Sequence, residues 1–202
     1  MQEKSIEFDV LTEIGNIGAG NATTALSQLI NARIDMLVPK VDLLTFNELA
    51  EIVGGAETLV AGILLSLEGD VDGMMLFVLE SSAAHLLVDQ LMGISSSYSK
   101  EGKGFNDIEE SALKEIGNII AGAYLSSISS LTNMLITSSV PYLSVDMAGA
   151  ILSVPAIEFG KMGDKALLIE SQFKDLDVDI SGYFILIPTI ESYERMLRSL
   201  GL

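Results

Sequence analysis

The sequence of 202 residues contains no cysteine and a single histidine. Without cysteine the chain can form no disulfide and no thiolate metal cluster, and it cannot work as a cysteine-dependent phosphatase. His85 falls in an amphipathic helical pattern and has no evident serine or acidic partner, so the sequence does not predict a catalytic triad. We interpret His85 as a structural residue.

Basic residues are also scarce, because 11 Lys and Arg face 28 Asp and Glu and the formal net charge is −17. The phosphate backbones of nucleic acids attract basic surfaces, so we expect no nucleic acid partner and instead a protein with basic patches. No stretch reaches the roughly 18 uninterrupted apolar residues of a membrane span, and the N-terminus lacks the pattern of a signal peptide. We therefore expect a cytoplasmic protein without membrane insertion.

The chain does contain a repeated segment. The eight residues from Glu13 to Gly20 return from Glu115 to Gly122 with seven of eight positions identical, at an offset of 102. A repeat this close indicates an internal duplication. Asp9 and Ser111 occupy matching positions before the two copies.

Each copy lies in a segment with helical spacing, residues 9–30 and residues 106–131, in which an apolar face opposes a polar one. The repeated Glu and Asn are neighbours on the polar face. Packing does not require solvent-facing residues to match, so their repetition favours a function over an ordinary solvated helix face. The candidate site residues are Glu13, Asn16, Glu115 and Asn118.

A carboxamide offers a donor and an acceptor with which to position a water molecule, although it cannot take the water's proton. That ability suits phosphoryl hydrolysis, in which catalysis is mainly positioning and electrostatic stabilisation. The neighbouring glutamate can bind a cation on a partner. Gly20 and Gly122 leave the next turn bare for a partner's approach, whereas we interpret Gly15 and Gly117 as packing residues.

Each half is predicted to read helix, strand, short helix, strand, strand, helix. The strands are predicted at residues 33–44, 59–67 and 74–79 and again at 134–143, 166–173 and 183–187; the second and third strand of each half form a hairpin. Short helices are expected near residues 47–53 and 145–152, the latter being equally compatible with a strand. Closing helices are expected at residues 81–92 and 189–200.

These elements predict an α+β fold in which about six strands form one mainly antiparallel sheet flanked by helices. We expect a single domain over residues 1–202, made of repeats at about 7–93 and 106–201 that are related by a pseudo-twofold axis. The polar residues 95–104 are predicted to link them. Two separate three-stranded halves would leave more sheet edges open, which favours one sheet.

The repeat carries the pattern Asp/Ser-x3-Glu-x2-Asn-x22-Pro, which resembles the signature of the CheC/CheX/FliY family of chemotaxis phosphatases. The two copies are Asp9-Glu13-Asn16-Pro39 and Ser111-Glu115-Asn118-Pro141. The resemblance covers nearly the whole chain. It implies hydrolysis of the aspartyl phosphate that the response regulator CheY holds with Mg²⁺.

The resemblance also implies roles for the candidate residues. Asn16 and Asn118 would each orient the attacking water, and Glu13 and Glu115 would pair with the regulator's active-site lysine. Mg²⁺ would be supplied by the phosphorylated regulator, so no cofactor is expected on this chain. A second implied partner is the receptor deamidase CheD, which family members inhibit on binding while their own phosphatase activity rises.

Two alternatives stay open. The chain could be a non-enzymatic binding module that regulates CheD or a flagellar switch component, with docking surfaces elsewhere than the Asn amides. Alternatively, one of the two sites could have decayed, since Thr12 is replaced by Lys114 beside the second copy.

Overall fold

The structure, a computed structural model, describes residues 2–30, 35–93, 104–159, 165–174 and 179–202. Its first-half elements are α1 (Gln2–Ile30), β1 (Asp35–Thr45), α2 (Phe46–Ile52), β2 (Leu59–Gly69), β3 (Gly73–Glu80) and α3 (Ser81–Leu91). Those of the second half are α4 (Asp107–Thr132), β4 (Ile136–Ser138), β5 (Tyr142–Met147), α5 (Ala148–Phe159), β6 (Lys165–Lys174), β7 (Asp179–Pro188) and α6 (Ile190–Ser199). The first half follows the predicted order, and the second half contains one strand more than predicted.

The two long helices, α1 and α4, are the elements that carry the repeated segment. At the start of α4 the Asn106 side chain accepts hydrogen bonds from the amides of Ile108 and Glu109, and the Glu109 carboxylate accepts one from the Asn106 amide. This capping box satisfies amides that the helix itself cannot pair. Helix α1 begins at Gln2, seven residues before the predicted start at Asp9.

The strands form one sheet in the order β1-β6-β7-β3-β2, with β4 and β5 both paired to the outer edge of β2. All of the observed pairings are antiparallel. The hairpins β2–β3 and β6–β7 meet through β3 and β7 at the centre. Each edge strand pairs with the other half, β1 with β6 and β5 with β2, which produces the pseudo-twofold arrangement and confirms the predicted α+β fold.

The prediction of a single strand over residues 134–143 is wrong, because the segment forms two strands, β4 and β5. Between them Ser139 donates its backbone amide to Ser66 O, and its hydroxyl accepts from the Ser66 amide. Pro141 follows and has no amide hydrogen to continue the ladder. The described sheet therefore has seven strands instead of about six.

The segment predicted as helix or strand at residues 145–152 is both, since β5 ends at Met147 and α5 begins at Ala148. The strand predicted at residues 183–187 is longer, because β7 begins at Asp179 and its first residues pair with the end of β6. The two motif prolines lie at the edges of the sheet, Pro39 in edge strand β1 and Pro141 next to edge strand β5, where a missing amide hydrogen is tolerated.

Two hydrophobic cores cover the two faces of the sheet. One contains residues of α1, α3, α4 and α6, and at its centre the buried Tyr124 ring stacks on Phe184 with ring centroids 4.2 Å apart. The other lies beneath α2 and α5 and includes Leu49 and Ile151. Burying a large apolar side chain contributes roughly 1.5–3 kcal/mol, so both helical layers are held to the sheet by burial.

Among the described residues, no helix is long and apolar enough to cross a membrane. The predicted linker at residues 95–104 lies outside the described residues except for Gly104. The division into two linked repeats of a single domain stays a prediction, which the exchange of edge strands between the halves supports.

Candidate functional site

The repeated polar residues form two exposed rows, one on α1 and one on α4. We call them the first stripe and the second stripe; they consist of Asp9, Glu13, Asn16 and Gly20, and of Ser111, Glu115, Asn118 and Gly122. All eight residues are exposed, whereas the adjoining Ile14 and Ile116 are completely buried. Within the described part of the chain, no hydrogen bond or ion pair engages the four Glu and Asn side chains. Their polar groups are therefore available to a partner.

The glycines that follow the two repeated isoleucines, Gly15 and Gly117, lie against the sheet. A methyl group added at Gly15 would lie 3.3 Å from Val38 Cγ1, and one added at Gly117 would lie 2.6 Å from Ile63 Cγ2. The missing side chain lets each helix approach its strand closely, which agrees with the interpretation of both glycines as packing residues. The helix backbone beneath each stripe therefore packs directly against the sheet.

Gly20 and Gly122 differ from that pair because a methyl group added at either would have no atom of this chain within 4 Å. Both lie one turn after the candidate asparagines and are exposed. The surface beside each amide is therefore bare, and another protein's surface can approach it closely.

The one mismatch in the eight-residue repeat, Gly18 against Ile120, is explained by the contact between α1 and α4. A methyl group at Gly18 would lie 2.2 Å from the Tyr124 ring, whereas Ile120 is completely buried in the core. Beside this contact the Asn21 amide nitrogen donates a hydrogen bond to Ser127 Oγ at 3.3 Å. The mismatch is thus a packing difference and leaves the polar residues of the stripes unchanged.

The sequence analysis did not identify a second pair of repeated glutamates, Glu7 and Glu109, which have the same offset of 102. The Tyr193 hydroxyl in α6 donates a hydrogen bond to Glu7 at the start of α1. In α3, His85 Nδ1 lies 4.0 Å from Glu109 Oε1 at the start of α4, and the His85 ring stacks on Phe105. The closing helix of each half therefore contacts the stripe helix of the other half, and burial of His85 supports its structural interpretation.

Burial raises the pKa of Tyr193 well above its ordinary value, and the hydrogen bond and negative charge of Glu7 raise this pKa further. The phenol therefore stays protonated and keeps donating to Glu7 throughout the neutral range. This bond ties α1 to α6 about two turns before Asn16.

The surroundings of the two stripes differ in charge. Asp9 in the first stripe corresponds to Ser111 in the second, and Thr12 corresponds to Lys114. The Lys114 ammonium lies 3.7 Å from a carboxylate oxygen of Glu110, one turn earlier on α4. No group of three or more histidine, aspartate or glutamate side chains in the described ranges is placed to hold a metal ion.

The profile of the CheC-like family matches residues 6–42 and 108–145, which include both stripes. The chain is 40% identical over 172 residues to a Bacillus subtilis protein named CheY-P phosphatase CheC, covering 85% of this chain and 82% of that protein. The fold of this chain resembles that of Thermotoga maritima FliY, with a TM-score of 0.75, 21% identity and 96% of each chain covered. A chain of the FliM–SpeE complex from H. pylori gives a TM-score of 0.68 at 15% identity, covering 96% of this chain and 94% of that one. On the strength of the Bacillus relative, this chain belongs to the CheC-like family.

Proposed function

We propose that this chain is a phosphatase that hydrolyses the aspartyl phosphate of phosphorylated CheY at two sites, the first and second stripes. The observation that carries the proposal is that the same Glu and Asn are exposed on two equivalent helices of a chain in this family. A relative at 40% identity bears the name of a CheY-P phosphatase, and that name states the same substrate.

The asparagines are proposed to position the attacking water. The amide of Asn16 or Asn118 can accept a hydrogen bond from the water and donate one to a phosphoryl oxygen. Because an aspartyl phosphate is already activated, in-line placement of the water is the main requirement. Helices α1 and α4 pack closely on the sheet at Gly15 and Gly117, so the backbone positions that carry the asparagines are set before the partner arrives.

The glutamates are proposed to bind the regulator's active-site lysine. Glu13 and Glu115 are exposed and lie one turn before the asparagines on the same face. A carboxylate bound to an ammonium group forms a charge-assisted hydrogen bond, which fixes the approach of the partner. The net charge of −17 opposes a phosphoryl group, so this local contact has to offset the repulsion. The regulator would supply the Mg²⁺.

CheD is proposed to bind a different surface, formed by β5 and α5. Three of its large apolar side chains are exposed by 46–76%: Tyr142, Val154 and Ile157. Exposed apolar patches of this kind mark protein interaction sites. Helix α5 covers the sheet face opposite to α1 and α4, so CheD bound here would leave both stripes accessible to the regulator.

The same apolar surface favours the second candidate function, a binding module without catalysis. In that case the patch on β5 and α5 would carry the biological activity, and the Asn amides would be dispensable. The two functions differ in what they require of Asn16 and Asn118, and this difference decides the experiment.

The test is the decay of phosphorylated CheY in Mg²⁺ with the wild type, Asn16→Ala, Asn118→Ala and the double variant. We expect each single variant to retain partial activity and the double variant to lose nearly all of it, since removing one preorganised polar group typically costs about 10²–10³-fold in rate. Circular dichroism and thermal melting control for folding. We expect folding to be preserved, because both substituted residues are exposed. Full activity of the double variant refutes the mechanism, and no acceleration by the wild type, even with CheD, favours the binding module.

A further inference from the structure

Lys114 places a positive charge beside the second stripe that the first stripe lacks. Residues four apart on a helix are surface neighbours, so Lys114 adjoins Asn118 as Thr12 adjoins Asn16. The side chain of Lys114 is 41% exposed, and Asn118 is exposed as well. The ammonium group is turned toward Glu110, on the side of Lys114 away from Asn118, so a change of side-chain rotamer brings it to the edge of the proposed water-positioning site.

The present partner of Lys114 does not hold it firmly. Its Nζ lies 3.7 Å from Glu110 Oε2, and the Glu110 side chain is 45% exposed. Exposed ion pairs of this kind contribute little, because water screens both charges. A phosphoryl group carries more charge than one carboxylate, so the ammonium can turn from Glu110 to the phosphoryl oxygens when a phosphorylated partner docks.

The charge difference between the two sites is local to the amide. Asp9 and Thr12 adjoin the Glu and Asn of the first site, whereas Ser111 and Lys114 adjoin those of the second, so the immediate surroundings of the second site are more positive by two charges. One turn further toward the helix start, α4 has the acidic Asp107 and Glu110 at positions where α1 has uncharged residues. These two negative charges cancel the difference, so over the larger surface the two helices have the same formal charge. Lys114 should therefore affect the chemical step more than long-range attraction of the partner.

We propose that Lys114 is a catalytic residue of the second site and that the second site is the faster of the two. This inference rests on the proposed function. The water oxygen forms the new bond to phosphorus, the bond between phosphorus and the aspartyl oxygen breaks, and its electron pair returns to the aspartate carboxylate. The water's two protons leave with the phosphate as H₂PO₄⁻. Lys114 stays protonated and stabilises negative charge on the phosphoryl oxygens in the transition state.

The test uses chains that retain one site each. In Asn16→Ala only the second site remains, and we expect Lys114→Thr there to lower the saturating rate of CheY dephosphorylation about fivefold, the effect of one charge contact near 4 Å in water. In Asn118→Ala only the first site remains, and Thr12→Lys is expected to raise its saturating rate by a similar factor. The half-saturating concentration of phosphorylated CheY should change little in either case.

Two controls separate charge from packing. Lys114→Arg keeps the charge and is expected to retain most of the rate. Arg198→Thr removes a basic residue paired at 3.6 Å with Glu194 on α6, four residues apart as in the Lys114 pair, and should leave the rate unchanged. An unchanged saturating rate in Lys114→Thr, or an equal loss in Lys114→Thr and Lys114→Arg, overturns the proposal. Failure of the proposed function would appear separately, as undiminished activity of the double Asn variant with Lys114 intact.

Discussion

The Tyr193 hydroxyl donates a hydrogen bond to the Glu7 carboxylate and thereby joins the last helix of the chain to the first. Its counterpart in the other half is the contact between His85 and Glu109. The two glutamates are equivalent in the repeat, but one is bound by a phenol and the other faces an imidazole. Each stripe helix is therefore tied, near its start, to the closing helix of the opposite half.

The Tyr193 bond predicts a change in stability with pH. Tyr193→Phe is expected to lower the free energy of unfolding by about 1–2 kcal/mol at neutral pH, because Glu7 loses its donor. The raised pKa of folded Tyr193 means that the wild-type advantage is complete below the unfolded tyrosine pKa, about 10, and is lost as pH rises above it. Denaturant unfolding of both proteins from pH 7 to 11 measures the difference.

The control for that comparison is Tyr142→Phe, which removes a hydroxyl from a tyrosine that is 67% exposed and should leave stability unchanged. Burial and the nearby Glu170 and Glu80 also raise the pKa of Tyr183, but this effect is common to both proteins and cancels. A difference that stays constant up to pH 11 would contradict the assignment of the bond.

The glycines of the repeat predict opposite effects of the same substitution. Gly18→Ala places a methyl group against the Tyr124 ring and is expected to lower the free energy of unfolding by about 1–3 kcal/mol. Gly122→Ala meets no atom within 4 Å and should stabilise α4 by about 0.5–1 kcal/mol. Denaturant unfolding measures both, and equal effects of the two substitutions would show that the contact with Tyr124 is misplaced.

Gly122→Ala carries a further expectation for activity. In the Asn16→Ala background, in which only the second site remains, its methyl group should obstruct the approach of phosphorylated CheY and slow dephosphorylation although the protein is more stable. Unchanged activity would show that the partner does not approach the bare turn at Gly122.

The proposed division of labour between Glu and Asn predicts different kinetic defects. The double variant Glu13→Gln, Glu115→Gln is expected to raise the half-saturating concentration of phosphorylated CheY about 3–10-fold, because each site loses its ion pair with the partner. Its saturating rate should stay near that of the wild type, in contrast to the double Asn variant. Steady-state kinetics separate the two effects, and a loss confined to the saturating rate would assign the glutamates to the chemical step instead.

The apolar surface of β5 and α5 predicts the location of CheD binding. Val154→Asp and Ile157→Asp are expected to weaken CheD binding at least tenfold, since both place a charge in a patch proposed to be buried by the partner. Phosphatase activity without CheD should be unchanged. Ile190→Asp alters a half-exposed isoleucine on α6, behind the other sheet face, and serves as the matched control. Equal binding of CheD by all three variants would show that CheD does not bind this patch.

Local pattern was sufficient for most of the secondary structure. The apolar spacing of α1 and α4, the cap formed by Asn106 and Glu109, and the two hairpins all depend on residues close together in the chain. The exposed positions of Glu13, Asn16, Glu115 and Asn118 follow from the same helical period. Their catalytic roles stay a prediction.

The division of residues 134–143 into two strands was not predictable in the same way. The β-branched and apolar residues of that segment are typical of a continuous strand, and the interruption is fixed by the contacts of Ser139 with Ser66, which is 73 residues away in the chain. The contact of Glu7 was not predictable for a similar reason. Whether Glu7 faces solvent or accepts a hydrogen bond from Tyr193 depends on where α6 packs.

The sequence by itself determined the order of the elements apart from the division into β4 and β5, and it determined the internal duplication and the polar composition of both stripes, because each is a property of spacing along the chain. Only the tertiary structure decided that β1 and β5 pair with the opposite halves, that Gly18 accommodates Tyr124, and that Tyr193 and His85 contact the repeated glutamates. Strand pairing and helix packing join residues far apart in the chain, and local periodicity does not specify which partners bury the most surface together.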